Sequence, residues 1–328
     1  GRGFNMKNKV YISTVIYLHN DEDIVCKALK DITNFLDKHF EHFEVICVDD
    51  CSSDKTLEKV LDLIPHLKGY HNVISLTRKH GIETAMLAGG DKSIGDYIYE
   101  IELSFMDYSL DFMLELFNKA QSGFDIVSGR EQKIPLVTNL FYSVLKLVSY
   151  VGMDLNTENI IIVSRRALNA ILDMSEKTRY RKGLLYFTGF PKAECIYKPI
   201  KYIKRRNRSI LEKLQLALEI IISFSRIGTK MPLILSIIFL SISIFTGMLT
   251  LYEYIWGVSA EVRGWTTLMA FLSFGFFGAF LVLGFLGEYI SMILIELQGR
   301  PLYTIKKQYH SFNKQKDSGV RPKLKSVD

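Results

Sequence analysis

The chain has 328 residues, a formal net charge of +6 and 48% hydrophobic residues. Its mean hydropathy of +0.13 is high for a soluble domain, and the apolar excess collects between Met231 and Leu297, the pattern of membrane spans and not of an enlarged core. The cysteines Cys26, Cys47, Cys51 and Cys195 form no CxxC pair or other metal spacing, which argues against a zinc module and fits reduced thiols. Basic clusters flank the apolar region without any nucleic-acid motif, so anionic lipid is the expected partner and nucleic acid is not.

In chain order, residues 10–18 form a β-branched and aromatic run, a predicted strand, followed by the polar loop His19-Asn20-Asp21-Glu22-Asp23. Residues 24–40 carry Ile24, Leu29, Ile32 and Leu36 at roughly helical spacing. Residues 43–48 are a second strand ending in Asp49-Asp50, and Ser52 or Ser53 is placed to cap a helix over 54–63. Residues 73–76, 84–89 and 97–103 continue the alternation, which predicts βαβ units and a mainly parallel sheet. Such sheets bind ligands at the carboxyl ends of their strands. That rule places residues 19–23, 49–53 and 100–107 on one rim.

The second half changes character. Residues 198–213 are strongly basic, with Arg205, Arg206 and Arg208 at the centre. Ile210, Leu211, Leu214, Ala217, Leu218, Ile221 and Phe224 then make an amphipathic stripe, as in a helix lying in a membrane interface. Residues 231–256 and 265–291 are each long enough to span a bilayer, and the link between them holds only Glu261 and Arg263. Lys and Arg dominate both outer flanks, which predicts a two-helix hairpin with both ends in the cytoplasm. Trp256 and Trp265 fit an interfacial belt, and no apolar leader opens the chain. Gly275 and Gly278 suit either homo-oligomer contacts or packing within the hairpin. The expected organisation is an α/β domain over 1–200, amphipathic juxtamembrane helices over 201–230, the hairpin over 231–297 and a basic tail over 298–328.

Three acid-rich segments meet on the predicted rim. Taken singly, each reads equally as loop and cap chemistry. Their order is more specific. Asp49-Asp50-x-Ser-x-Asp-x-Thr resembles the signature of family-two glycosyltransferases of the GT-A fold, a Rossmann-like α/β fold. Residues 76–89, with Arg78, His80, Gly81, Ala85 and Gly89, are similar to that group's Arg-Asn-x-Gly-x-x-x-Ala-x-x-Ala-Gly stretch. Leu286-Gly287-Glu288-Tyr289-Ile290 and Arg300-Pro301-Leu302-Tyr303 resemble the close of the hairpin in the polyprenyl-phosphate branch, which includes dolichyl-phosphate mannose synthases.

The resemblance implies a nucleotide-sugar donor, a polyprenyl phosphate acceptor, a Mg²⁺ or Mn²⁺ ion and a multi-pass protein of the cytoplasmic membrane. It implies that Tyr17, His19, Asp21 and Asp50 line the nucleotide pocket, with Asp50 facing the base. Arg78, His80 and Gly81 would lie near sugar and ribose, and Arg130 near the phosphates. Asp107 stands where an acid follows the metal motif, and Arg205, Arg206 and Arg208 would meet the lipid phosphate. The sequence departs from the family at several of these places. The metal-binding Asp-x-Asp reads Glu100-Ile101-Glu102, the proline after Asp107 is absent, and Glu158-Asn159 replaces a Gly-Asp pair. Those departures leave two readings open, an active transferase and a non-enzymatic relative that serves as scaffold or partner subunit.

Overall fold

A computed structural model of the protein describes residues 7–132, 158–173, 188–200, scattered positions between 235 and 256, 263–297, 301–313 and 325–327. The centre of the fold is strand β1 (Asn8–Leu18), whose Ile12, Val15, Ile16 and Leu18 are fully buried on both faces. A strand covered on both sides is largely apolar, and from Val10 to Leu18 only Ser13 and Thr14 interrupt the apolar and aromatic run. It pairs in parallel with β2 (Phe40–Asp49) on one side and β4 (Tyr97–Glu102) on the other, and β2 pairs in parallel with β3 (Gly69–Leu76). Beyond β4, β6 (Glu158–Ser164) runs antiparallel between β4 and β5 (Ile126–Glu131), and β7 (Lys192–Tyr197) adds in parallel at the edge. The nine-stranded sheet is therefore mixed, with a parallel heart.

Helices cover both faces. On one, α1 (Val25–His39) buries Ala28, Leu29, Ile32 and Leu36, and α2 (Thr56–Leu63) and α4 (Leu110–Gln121) lie beside it. Each fully buried Leu or Ile contributes roughly 1.5–3 kcal/mol of transfer free energy, so this stripe fixes the helix to the sheet. On the other face, α3 (Ile82–Asp91) and α5 (Arg165–Leu172) pack Ala85, Ala88, Leu168 and Ile171 against Val15 and Ile161. A Cβ at Gly89 would collide with the Val15 side chain, so a residue without one lets α3 come down onto β1.

Three expectations need correction. Neither Ser52 nor Ser53 caps α2. The Asp54 carboxylate accepts from the Thr56 N–H at 2.9 Å instead, and the serines turn toward the loop after β1. The expected basic tail is partly sheet: β8 (Ile305–Asn313) pairs antiparallel with β3 from Gly69 to Leu76, and β9 (Lys325–Val327) pairs with β8. The expected hairpin is seen in part. Helix α6 (Arg263–Leu297) is 35 residues long, and its stretch Phe274–Ser291, of mean hydropathy 1.6 and 6% buried, is long and apolar enough to cross a membrane. Among the described residues it is the one such helix.

Of the other expected span, a helical run over 237–242 and shorter helical pieces between 235 and 256 are described, and one residue of that run carries information. The Phe239 ring lies 4.9 Å from that of Phe274, and a Cβ at Gly278 would overlap it. Gly278 thus makes room for an aromatic ring of its own chain. The amphipathic stretch over 209–227, together with Arg205, Arg206 and Arg208, lies outside the described residues.

Candidate active site

The carboxyl ends of β1, β2 and β4 form one rim, as strand order requires. The loop after β1 and the loop after β2 are joined there by alternating donors and acceptors. Asn20 N–H donates to Ser52 Oγ (3.1 Å), Ser53 N–H to Asn20 Oδ1 (2.8 Å), and Asp21 N–H to Thr56 Oγ1 (2.8 Å). Asn20 and Cys51 both adopt positive φ, 57° and 56°, which turns each loop sharply enough to meet the other. Asp21 closes its own turn by accepting from His19 N–H at 2.9 Å.

Asp50 organises the centre of this rim. Its carboxylate is fully buried and takes three donors: the Tyr17 hydroxyl (3.0 Å), His80 N–H (2.7 Å) and Gly81 N–H (2.8 Å). Gly81, with φ of 90°, turns its amide toward Asp50 at the start of α3, a conformation that glycine adopts without strain. The Asp50 carbonyl also faces His19 Nδ1 at 2.9 Å, and since a carbonyl only accepts, Nδ1 carries the proton. Tyr17, His19, Asp21, Asp50, His80 and Gly81 therefore do come together. Asp50 acts there as the clamp that binds the Arg78–Gly81 turn to β1. Burial and the adjoining Asp50 charge push the Tyr17 phenol far above its usual range, so it stays a proton donor. Burial and the exposed Arg78 hold His80 below the ordinary histidine value, which favours a neutral ring.

The two glutamates of β4 share a face, being two residues apart on a strand. Glu100 is 3% exposed and lies opposite Val15 on one side and Ile161 on the other. Glu102 is half-buried at the rim, level with Tyr17, and accepts from the Ser104 hydroxyl at 3.0 Å. Among the described residues no group of three or more His, Cys, Asp or Glu could enclose an ion. The pair fits a Mg²⁺-type ion in a different way. Such ions commonly take one or two protein carboxylates and complete their shell with water and substrate phosphates. Glu102 is the ligand placed to reach the rim, with Glu100 behind it.

Asp107 and Arg130 lie on the far side of β4. Arg130 approaches Glu194 of β7, with Nε 3.5 Å from the carboxylate. Asp107, 9% exposed, accepts from the Tyr197 hydroxyl at 2.6 Å, and its main-chain carbonyl accepts from Ile200 N–H at 2.6 Å. Sequence reasoning did not single out Tyr197. A further unforeseen contact joins the rim to the end of the chain, where Thr77 N–H donates to the Thr304 carbonyl at 3.0 Å.

Residues 13–107 match the model of glycosyl transferase family 2. The chain is 28% identical over 305 residues to an uncharacterized glycosyltransferase of Synechocystis sp., covering 90% of this chain and 95% of the relative. It is 26% identical over 311 residues to a prophage-derived bactoprenol glucosyl transferase of Shigella flexneri, covering 91% and 98%. A prophage bactoprenol glucosyl transferase homolog of Escherichia coli is 27% identical over 306 residues, covering 90% and 98%. In architecture it is similar to glucosyl-3-phosphoglycerate synthase of Mycobacterium tuberculosis, solved with Mn²⁺, UDP-glucose and phosphoglyceric acid, at a TM-score of 0.51 and 16% identity over 65% of this chain and 77% of that one. That likeness shows a GT-A-like α/β fold. Together the family domain and the relatives support an enzyme over the scaffold reading.

Proposed function

Starting from a chain that carries a glycosyltransferase family 2 domain and is a glycosyltransferase, we propose that it moves a sugar from a nucleoside-diphosphate donor to a polyprenyl phosphate at a membrane surface. The carrying observation is the extent of the likeness to bactoprenol glucosyl transferases. It runs through 98% of their length, well past the family 2 domain and into the part of this chain that holds α6.

The lipid phosphate oxygen attacks the anomeric carbon in line, the new C–O bond forms as the bond to the nucleoside diphosphate breaks, and the configuration inverts. A phosphate monoester, with a second pKa of about 6, is largely ionised at neutral pH, so this nucleophile needs little help from a general base. The protein's main task is the charge that builds on the departing diphosphate. Glu102, with Glu100, would hold a Mg²⁺ or Mn²⁺ ion, whose positive charge would offset that of the departing diphosphate. Arg130 serves the same charge by turning from Glu194 to a phosphate oxygen. His19, Asp21, Arg78, His80 and Gly81 border the donor pocket, whose walls are held in place by Tyr17 and Asp50. Asp107 orients the transferred sugar.

In this reading α6 and the apolar segment containing Phe239 form a membrane hairpin, and positive flanks keep the catalytic domain and both ends at the cytoplasmic face. Residues 1–200 with β8 make the catalytic domain, and the basic stretch around Arg205, Arg206 and Arg208 meets the lipid phosphate. The test is transfer from radiolabelled UDP-glucose or GDP-mannose to undecaprenyl phosphate by the detergent-purified full chain, with Mn²⁺ or with EDTA. Organic-extractable label is expected only with metal and lipid together, and Glu102→Ala should lose roughly 100-fold of the rate. A folded protein that neither binds the nucleotides calorimetrically nor labels the lipid would refute the assignment.

A further inference from the structure

The last strand before the basic stretch is two-sided. Cys195 and Tyr197 point inward, while Ile196, Lys198 and Ile200 are exposed. Tyr197 is 6% exposed and sits in an aromatic cage, its ring 5.6 Å from Tyr108 and 5.0 Å from Phe112. Phe112 is itself pressed close to the backbone of β5, because a Cβ at Gly129 would stand 2.6 Å from its ring. A phenol confined this way has few rotamers left, so its hydroxyl direction is set by packing. That hydroxyl ends 2.6 Å from Asp107 Oδ1.

The main chain around the same residue binds two further parts of the site. The Tyr197 carbonyl accepts from Gln132 N–H at 3.0 Å, and Tyr197 is the register partner of Glu131, next to Arg130. Three residues on, Ile200 N–H donates to the Asp107 carbonyl. Asp107 is thus held at its side chain and at its main chain by one short stretch, and that stretch also fixes the end of the Arg130 strand. The next basic residues are Lys201, Lys204, Arg205 and Arg206.

We propose that Tyr197 is a positioning residue for sugar transfer: its hydroxyl sets the carboxylate plane of Asp107, and its backbone ties Asp107 and the Arg130 strand to the segment that leads to the membrane. The proposal deepens the transferase reading and rests on it for its kinetic consequence. A charge-assisted hydrogen bond inside a water-poor site is strong because little competes for either partner. Removing the hydroxyl alone leaves the ring and the cage intact while withdrawing this donor from the carboxylate.

The experiment compares the full chain with Tyr197→Phe, Asp107→Asn and the double variant in the lipid-transfer assay. Tyr197→Phe should lower kcat about tenfold, with the donor KM within about twofold and the melting temperature nearly unchanged. In the Asp107→Asn background the same change should have no further effect, since the partner it orients is already altered. An unchanged kcat, or an equal further loss in that background, overturns the proposal. Amide exchange at Ile200, read on the same proteins, needs no substrate. Faster exchange in Tyr197→Phe supports the tether even if no lipid is labelled, which isolates a failure of the transferase reading, whereas unchanged exchange overturns the tether itself.

Discussion

Two aspartates on one rim each accept a tyrosine hydroxyl, and they are otherwise built differently. Asp50 is wholly buried, and its two oxygens also take the amides of His80 and Gly81, so its carboxylate is part of the architecture of the donor loop. Asp107 keeps some exposure and is bound through Tyr197 to the strand leaving the domain. The contrast teaches that two acids of one family match can be held in different ways, one inside the fold and one against the strand that leaves it. At Asp50 two backbone amides, those of His80 and Gly81, are aimed at the carboxylate.

The largest expected effect breaks the comparison at Asp50. Asp50→Asn places an amide NH₂ against donors that require an acceptor and leaves a buried group unmatched. We expect a loss of about 3 kcal/mol in urea unfolding, against less than about 1 kcal/mol for Asp107→Asn, where the tyrosine still finds an oxygen. Equal losses would erase the distinction.

A pH titration sharpens it. His71, buried in β3, is pushed down to about 4 from 6.5 by burial. A histidine whose folded pKa lies below its unfolded one gains a proton on unfolding. Its stabilising effect is therefore complete above pH 6.5 and lost as pH falls toward 4, by on the order of 3 kcal/mol. His71→Gln should remove this part of the acid limb, leaving the share of Asp37 and Asp125, which ion pairs hold below the usual carboxylate range.

The smallest effect tests the junction of the two loops. Asn20→Ala loses the acceptor for Ser53 and forces a Cβ residue less suited to positive φ, for about 1–2 kcal/mol. Asn20→Gly keeps the turn and loses only the acceptor, so it should fall between the two in the same unfolding measurement.

The donor half of the molecule was legible in the sequence because its signals are local. The apolar run of β1 reads as a doubly covered strand, and Asp49-Asp50 and Glu100-Ile101-Glu102 stand where such strands end. The capping role expected of Ser52 and Ser53 was misread because a serine serves any nearby amide, and the nearer customers lie on the other loop. Tyr197 was invisible for a related reason, since one phenol at the end of a strand says nothing about an aspartate 90 residues away. Strand β8 looked like a tail because Ile305-Lys306-Lys307-Gln308 has no strong apolar alternation. Strand β8 is held largely by backbone hydrogen bonds to β3, and those leave no mark on composition.

Because β8 lies after α6 in the chain, the catalytic sheet is discontinuous in sequence. During synthesis the residues of the long apolar helix are added before those of the strand that covers β3. Until then β3 presents an open edge from Gly69 to Leu76, and Thr77 lacks the carbonyl of Thr304. The order of synthesis therefore puts the long helix first and the strand that completes this edge last. A recombinant fragment ending at Ile200 would stop at that unfinished stage, with a bare edge ready to pair with its neighbours in place of a separable soluble enzyme.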